Sequence, residues 1–167
     1  KDGKGYLPFP KEVVKRAKGL KMRVVGYDPF IPKENLGHLE IEILSLDEIL
    51  PQADFITVHT PLTDTTRDLI NAASIQKLKK GVTLVNCARG GIYNEAALVE
   101  GLKSGKIGGV ALDVYAEEPC TKSPLFGMPG VLCTPHLGAS TEEAQTQVAV
   151  EAVNLLVDFL STGQIKN

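Results

Sequence analysis

Two side chains in this sequence, Glu118 and His136, could together do acid–base chemistry. An imidazole ordinarily titrates near ~6.5, close to working pH, which suits proton transfer to and from a substrate. A carboxylate beside it would stabilise its charged form and fix which ring nitrogen carries the proton. Both residues also have ordinary structural explanations, because a histidine after a proline and a Glu-Glu-Pro sequence are common in turns. Their spacing alone leaves open whether the two touch.

Arg89 is the candidate for binding an anionic substrate. It follows the apolar run 82–86 and is followed by Gly90 and Gly91. A guanidinium there could bind both oxygens of a carboxylate and polarise a neighbouring 2-oxo group. The two glycines would let a ligand come close to the backbone, which favours this interpretation over a plain surface arginine.

Asp28 is the candidate for holding a nucleotide ribose. A carboxylate at the end of the second strand of a dinucleotide fold can accept both ribose hydroxyls and would repel a 2′-phosphate, so it favours NAD over NADP. The alternative is a turn-forming aspartate in an Asp-Pro pair. His59, which also follows an apolar run, is interpreted as a strand-end histidine outside the catalytic set.

These residues need elements to position them, and the hydrophobic pattern predicts short strands. Runs that are apolar at nearly every position are typical of parallel strands covered on both faces. The predicted strands are 22–27, 39–44, 55–58, 82–86, 109–114 and 131–134.

Helical patterns lie between these strands. The capping-box sequence beginning at Ser45 predicts a short helix, and Asn94 is expected to cap the next one. A second capping box beginning at Ser140 opens a long apolar-rich helix over 140–161. The basic run 77–80 before Gly81 is expected to be a last helical turn stopped by that glycine.

The alternation predicts an α/β fold with a Rossmann-like, doubly wound parallel sheet. In such sheets ligands bind outside the carboxyl ends of the strands. Five segments with polar residues fall at those ends, so we expect them to meet at one rim. Asp28, His59, Cys87 and Pro135 each follow a predicted strand, and Asp113 ends one.

Composition limits the function classes. The chain has 167 residues, which predicts a single domain, and its formal charge of −2 gives no support to nucleic-acid binding. No apolar run approaches the ~20 residues of a membrane span. The three cysteines lack metal-binding spacing, so we expect reduced thiols in a cytoplasmic protein without a metal site.

The motifs taken together resemble a known family. Residues 86–91 read NCARGG, residues 111–119 read ALDVYAEEP and residues 134–141 read TPHLGAST. This combination resembles the D-isomer-specific 2-hydroxyacid dehydrogenases, over about residues 11–157.

The resemblance implies a role for each candidate residue. Arg89 would bind the carboxylate and carbonyl of the substrate, His136 would be the general acid/base, Glu118 its partner, and Asp28 would hold the adenosine ribose. It implies NAD as cofactor, a small phosphorylated 2-hydroxy acid as substrate, and a homo-oligomer. The residues lining NAD would be Asp28, Thr60, Cys87, Ala88, Arg89, Asp113, His136, Leu137, Gly138 and Ala139.

The N-terminal segment departs from the family pattern. The expected Gly-x-Gly-x-x-Gly loop aligns with residues 5–10, where only Gly5 matches, and Pro8 and Pro10 have no N–H to donate to a pyrophosphate. Residues 1–10 are therefore interpreted as altered or truncated, and the sheet is expected to lack its first strand and Gly-rich loop. The family's substrate domain is not expected within residues 1–167.

Several functions stay open at this point. The chain could belong to a dehydrogenase of the glyoxylate or hydroxypyruvate reductase type, which changes the substrate and keeps the reaction. It could instead be an NAD(H)-sensing module like the transcriptional corepressors that share this fold. A third possibility is a domain that binds cofactor poorly because its phosphate loop is altered. In every case we expect little turnover from the chain alone.

Overall fold

The computed structural model describes residues 10–29, 41–138 and 140–165. Helices and strands alternate along the middle of the chain, as the pattern predicts, but two pairs of strands follow each other with no helix described between them. The helices are α1 (Lys11–Gly19), α2 (Leu46–Ile49), α3 (Ala72–Lys77), α4 (Glu95–Lys103) and α5 (Glu142–Thr162). The strands are β1 (Val25–Gly26), β2 (Glu42–Ile43), β3 (Phe55–Val58), β4 (Val82–Asn86), β5 (Ile107–Leu112) and β6 (Val131–Cys133).

The strands β3, β4, β5 and β6 form one parallel sheet in chain order. Their last residues are paired side by side: Val58 with Asn86, Asn86 with Leu112, and Leu112 with Cys133. The carboxyl ends of all four strands therefore lie along one edge of the sheet. The segments that follow these residues start together at that edge, which we call the rim.

The predicted α/β fold with a parallel, Rossmann-like sheet is confirmed, and β1 and β2 form a separate two-stranded parallel sheet. Among residues 10–29, 41–138 and 140–165 no strand joins the two sheets. Residues 1–9, which include most of the segment expected to be altered or truncated, lie outside the described residues. Pro10 is the N-cap of α1 and has no side-chain cap hydrogen bond.

The hydrophobic core lies between the four-stranded sheet and helices α3 and α4. Leu84 on β4 and Leu98 on α4 are fully buried, and every residue of β4 is buried or half-buried. A strand covered on both faces is what its continuous apolar sequence predicts. The other large side chains of this core include Ile70, Ile75, Leu78, Val82, Ile92, Ile107, Val110, Leu112 and Leu125.

Two of the predicted helix starts are confirmed and one is wrong. Ser45 forms the capping box of α2, and the Asn94 side chain caps α4 at the Ala97 N–H. The cap of α5 is Thr141, whose hydroxyl accepts the Ala144 N–H. Ser140 instead donates its hydroxyl to the carbonyl of His136, 3.1 Å away, so a contact outside the helix takes the group that the pattern assigned to the cap.

Other predicted boundaries are also corrected. The strand expected over 22–27 is paired only at Val25–Gly26, opposite the two residues of β2. Residues 39 and 40, which begin the second predicted strand, lie outside the described residues. The strand expected over 109–114 is Ile107–Leu112. Residues 77–80 are not a helical turn stopped by Gly81, because α3 ends at Lys77 and the next residue is extended.

Helix α5 has 21 residues, and the left-handed Gly163 (φ 69°) ends it. None of its residues is buried, and several large apolar side chains on it are exposed. Even so, no helix in the described part of the chain has both the length and the apolar composition needed to cross a membrane.

Candidate active site

His136 and Glu118 are in contact at the rim. The Nδ1 atom of His136 lies 2.6 Å from Oε2 of Glu118, and the side chains are 45% and 34% exposed. The other Glu118 oxygen accepts the N–H of Tyr115 at 3.0 Å. This backbone hydrogen bond, followed by the one from His136, lowers the pKa of Glu118. Because an ionised carboxylate can only accept, His136 donates through Nδ1, and in the neutral ring Nε2 is then the acceptor.

The backbone of His136 is held in a left-handed conformation, with φ 55°. This region is uncommon for a residue with a side chain. The next two N–H groups, those of Leu137 and Gly138, donate to the carboxylate of Asp113 at 2.7 and 3.0 Å, and the Thr134 hydroxyl donates to it at 2.6 Å. Asp113 follows β5, so the end of one strand fixes the loop that follows the next.

Asp113 is buried, and its carboxylate is nevertheless the ionised form. Burial of the group acts to raise the pKa of Asp113, but three hydrogen bonds and the nearby His136 outweigh it, and the net shift is downward. The three donors belong to Thr134, Leu137 and Gly138. An anionic Asp113 at neutral pH therefore keeps the loop around His136 fixed.

The loop after β4 presents Arg89. Buried Asn86 holds this loop at two points: its amide nitrogen donates to the Arg89 carbonyl at 2.9 Å, and its amide oxygen accepts the Ala88 N–H at 3.0 Å. The exposed guanidinium of Arg89 donates to the carbonyl of Ala88 at 2.6 Å. The structure thus places Arg89 at the rim, and gives it no hydrogen bond to the Glu118–His136 pair among the described residues.

Gly90 sets how closely the Arg89 loop approaches the segment that carries Glu118. A Cβ on Gly90 would lie 1.6 Å from the carbonyl oxygen of Tyr115 and 2.7 Å from the nitrogen of Ala116. Both distances are well inside contact range, so only glycine fits here. The sequence predicts that Gly90 lets a ligand approach the backbone, but in this structure the Tyr115–Ala116 backbone occupies the space beside it.

The remaining residues expected to line a cofactor are Cys87, Thr60, Asp28 and Ala139. Cys87 is exposed, and the partial loss of water together with the nearby Asp113 carboxylate raises the pKa of its thiol, which keeps it protonated. Thr60 is half-buried and donates weakly to the next carbonyl, at 3.4 Å. Asp28 follows β1, in the separate two-stranded sheet. Ala139 lies outside the described residues.

His59 lies at the end of β3 and its ring contacts the Thr57 hydroxyl at 3.0 Å. It makes no described contact with Glu118 or His136. No group of His, Cys, Asp or Glu in the described residues is arranged to bind a metal ion.

Sequence reasoning missed three residues that hold the site: Asn86, Tyr115 and Thr134. Asn86 had a signal, since a buried amide at the end of an apolar strand needs hydrogen-bond partners. Tyr115 had none, because it acts through its backbone N–H and through a hydroxyl that donates to the Thr134 carbonyl at 2.8 Å.

Comparison with known proteins identifies the family of this chain. Residues 9–138 match the family model described as "D-isomer specific 2-hydroxyacid dehydrogenase, NAD binding domain". Among curated relatives, D-3-phosphoglycerate dehydrogenase from Methanocaldococcus jannaschii is 51% identical over 81% of this chain and 26% of its own length. The enzyme of that name from Archaeoglobus fulgidus is 43% identical over 99% of this chain and 31% of its own length.

Solved structures give the same assignment. A glyoxylate reductase from Paecilomyes thermophila superposes with a TM-score of 0.85 at 33% identity, covering 94% of this chain and 48% of that one. A D-lactate dehydrogenase from Aquifex aeolicus, solved with NAD and lactic acid, gives 0.77 at 28% identity, covering 89% and 49%. The chain spans about a quarter to a third of the curated relatives and about half of these structures. With the fold, the paired Glu118 and His136 and the family match in agreement, the chain belongs to the D-isomer specific 2-hydroxyacid dehydrogenases, as their NAD-binding domain.

Proposed function

We propose that this chain is the cofactor-binding domain of an NAD-dependent enzyme that oxidises D-3-phosphoglycerate to 3-phosphohydroxypyruvate, the first step of L-serine biosynthesis. The observation that carries the proposal of a dehydrogenase is the 2.6 Å contact between Glu118 and His136 at the rim. The substrate is supported by relatives named D-3-phosphoglycerate dehydrogenase, several of them 43–51% identical to this chain.

The chemistry of the rim fits a nicotinamide nucleotide. The side chains of Cys87, Arg89 and His136 are exposed there, and the thiol stays protonated and uncharged at neutral pH. Residues 87–89 and 136–138 would hold the nicotinamide half, and Asp28 would hold the adenosine ribose. NAD, when bound, would supply the nicotinamide ring that accepts the hydride from C2 of the substrate.

The residues of this chain would then manage the proton and the carboxylate. His136 would take the substrate hydroxyl proton at Nε2, since Nδ1 is occupied by Glu118. The ionised Glu118 would stabilise the imidazolium that forms. Arg89 uses one N–H on the Ala88 carbonyl, and its remaining donors would bind the substrate carboxylate.

The proposal is tested by kinetics of the full-length protein carrying this domain. We expect NADH formation with D-3-phosphoglycerate to exceed that with D-lactate or D-glycerate. His136→Ala should lower kcat by roughly 10²- to 10⁴-fold, as is usual for loss of a general acid/base. His59→Ala is the matched control and should leave kcat within about twofold of the unsubstituted enzyme. A normal kcat in His136→Ala would remove this residue from the mechanism.

A second candidate keeps the same reaction and changes the substrate. The structural match to a glyoxylate reductase favours it, with a TM-score of 0.85. NADH oxidation with glyoxylate and hydroxypyruvate distinguishes the two: a higher kcat/KM for these than for 3-phosphohydroxypyruvate would replace the phosphorylated substrate and leave the roles of Glu118 and His136 unchanged.

Binding of the cofactor can be measured on the chain itself. Calorimetric titration with NADH is expected to show saturable binding, with NADPH weaker because Asp28 would repel its 2′-phosphate. Absence of any heat with NADH would indicate that the altered segment 5–10 no longer supports the pyrophosphate.

We also propose a cytoplasmic location and a homo-oligomeric full-length protein. The first is supported by the three cysteines, all within the described residues and none in a disulfide. The second is supported by the exposed apolar side chains of α5, because patches of this kind mark contact surfaces. Sedimentation of the full-length protein measures its oligomeric state.

A further inference from the structure

One peptide group, between Tyr115 and Ala116, is contacted on both of its polar sides by a single short segment. Its carbonyl lies against Gly90, where no Cβ fits. The N–H of Ala116, on the same residue pair, donates to Oε1 of Glu95 at 2.9 Å. Gly90 and Glu95 belong to the stretch that runs from the Arg89 loop into the first turn of α4. This stretch therefore fixes the backbone at residues 115–116.

The backbone at residues 115–116 also directs the side chain of Glu118. The N–H of Tyr115 donates to one Glu118 oxygen at 3.0 Å, and the other oxygen contacts His136 at 2.6 Å. A rotation of the backbone at residue 115 would therefore move the donor that holds Glu118 in place. The orientation of the carboxylate toward His136 thus depends on what fixes residues 115–116.

The contact of Glu95 is not explained by the needs of its own helix. The N-terminus of α4 is already capped by Asn94, whose side chain accepts the Ala97 N–H at 2.9 Å. An acidic residue in the first turn does benefit from the helix dipole, but that benefit needs no partner 21 residues further on. A carboxylate that accepts a backbone N–H makes a stronger hydrogen bond than a neutral acceptor.

We propose that Glu95 is a positioning residue for the reaction: by holding the Ala116 N–H, it fixes residues 115–116 against the Arg89 loop, so that Glu118 faces His136. The proposal rests on the proposed function for its catalytic consequence. Its structural part, the dependence of Glu118 on Glu95, holds for the chain alone. Glu95 would thus link the loop of Arg89, which is expected to bind the substrate carboxylate, to the Glu118–His136 pair, which is expected to move the proton.

The first test follows the Glu118 carboxyl carbon by NMR during a pH titration of the whole 167-residue chain. Glu95→Asp keeps the charge and shortens the reach, whereas Glu95→Gln keeps the reach and removes the charge. We expect the pKa of Glu118 to rise toward its ordinary value in Glu95→Asp and to stay low in Glu95→Gln. Glu100→Asp, on the exposed side of the same helix, is the matched control and should leave this titration unchanged.

The groups that act on Glu118 are the Tyr115 N–H, His136 and the Asp113 carboxylate. The hydrogen bond from Tyr115 and, through the orientation of the carboxylate, the contact with His136 are expected to depend on Glu95, and both lower the pKa of Glu118. An unchanged titration in Glu95→Asp would overturn the proposal. A shift in Glu95→Gln without one in Glu95→Asp would also overturn it, because the effect would then come from charge alone. Both variants are mild, and amide spectra check that they are folded.

The second test separates positioning from cofactor binding in the full-length protein. Glu95→Asp is expected to lower kcat roughly 10- to 100-fold, the loss typical of a small misplacement of catalytic groups. The Kd for NADH should stay within about twofold, and Glu95→Gln should restore most of kcat. Failure of the proposed function would leave no turnover to compare, yet the Glu118 titration would still decide the role of Glu95.

Discussion

At the scale of single residues, Asp113 holds the loop around His136, although none of its described hydrogen bonds goes to the side chains of the candidate Glu118–His136 pair. Its carboxylate binds two consecutive backbone N–H groups and one hydroxyl in the loop that contains His136. The left-handed backbone of His136 is thereby supported at the two residues that follow it. A residue held in this uncommon conformation needs such support from its surroundings.

Asp113→Asn is expected to destabilise the chain by roughly 1–3 kcal/mol, because an amide nitrogen would face a backbone N–H in place of an oxygen. The folded-state pKa of Asp113 is below its ordinary value, so its contribution is present above about pH 4 and is lost as pH falls through the lower folded pKa. The difference in unfolding free energy between the unsubstituted chain and Asp113→Asn should therefore narrow with acidification. Urea unfolding between pH 7 and 3 measures this.

Exposed Asp64 provides the control for that series. Asp64→Asn removes an exposed carboxylate and should change the unfolding free energy at pH 7 by less than about 0.5 kcal/mol. A constant difference between Asp113→Asn and the unsubstituted chain across the whole pH range would contradict an ionised, hydrogen-bonded Asp113.

The site could be predicted from the sequence only in part. Glu118 and His136 stood out because their residue types suit acid–base chemistry and their motifs resemble a family. Asn86 and Glu95 could not be assigned in the same way, because each bonds to backbone N–H or carbonyl groups on loops. Backbone groups are the same at every residue, so the sequence pattern does not mark where such partners lie.

At the scale of the elements, the site depends on how closely two loops can approach. The loop after β4 and the loop after β5 meet at Gly90, where the Tyr115 carbonyl occupies the space of a side chain. This spacing follows from the parallel pairing of Asn86 with Leu112, which starts both loops at the same level of the sheet.

Gly90→Ala is expected to destabilise the chain by about 1–3 kcal/mol, the usual range for forcing an extra methyl group into a packed position. The atoms that face the added methyl group belong to the backbone of Tyr115 and Ala116, so rotation of a side chain cannot relieve the overlap. Gly19→Ala is the matched control, since nothing lies within 4 Å of its added Cβ, and it should cause no loss. Thermal unfolding compares the two, and equal melting temperatures would refute the close contact.

The prediction of element boundaries succeeded where local chemistry decides them. Ser45 and Asn94 cap helices because their side chains reach backbone N–H groups within the next turn. Ser140 has the right type and spacing for the same role, but its hydroxyl bonds to His136 and Thr141 becomes the cap. A competing partner elsewhere in the fold is invisible to a local pattern. The length of β1 was overestimated for a related reason, since pairing needs a partner strand.

For the whole molecule, stability is concentrated in the four-stranded sheet and the helices that cover it. Leu98 on α4 is fully buried, whereas Leu160 on α5 is 74% exposed. Leu98→Ala is expected to cost about 2–5 kcal/mol, because it leaves a cavity in the core. Leu160→Ala should change stability by less than about 0.5 kcal/mol in the chain alone. Urea unfolding of both variants tests this, and similar losses would show that α5 belongs to the same core.

The strands β3 to β6 follow one another across the sheet in the order of the chain. Each new strand therefore joins at the open edge left by the one before it, and none has to be inserted between two strands that are already paired. Synthesis on the ribosome releases these segments in the same order, so this sheet can grow one edge at a time during translation. Glu118 follows β5 and His136 follows β6, so the two groups proposed for proton transfer can meet only after the strands β3 to β6 have all been synthesised.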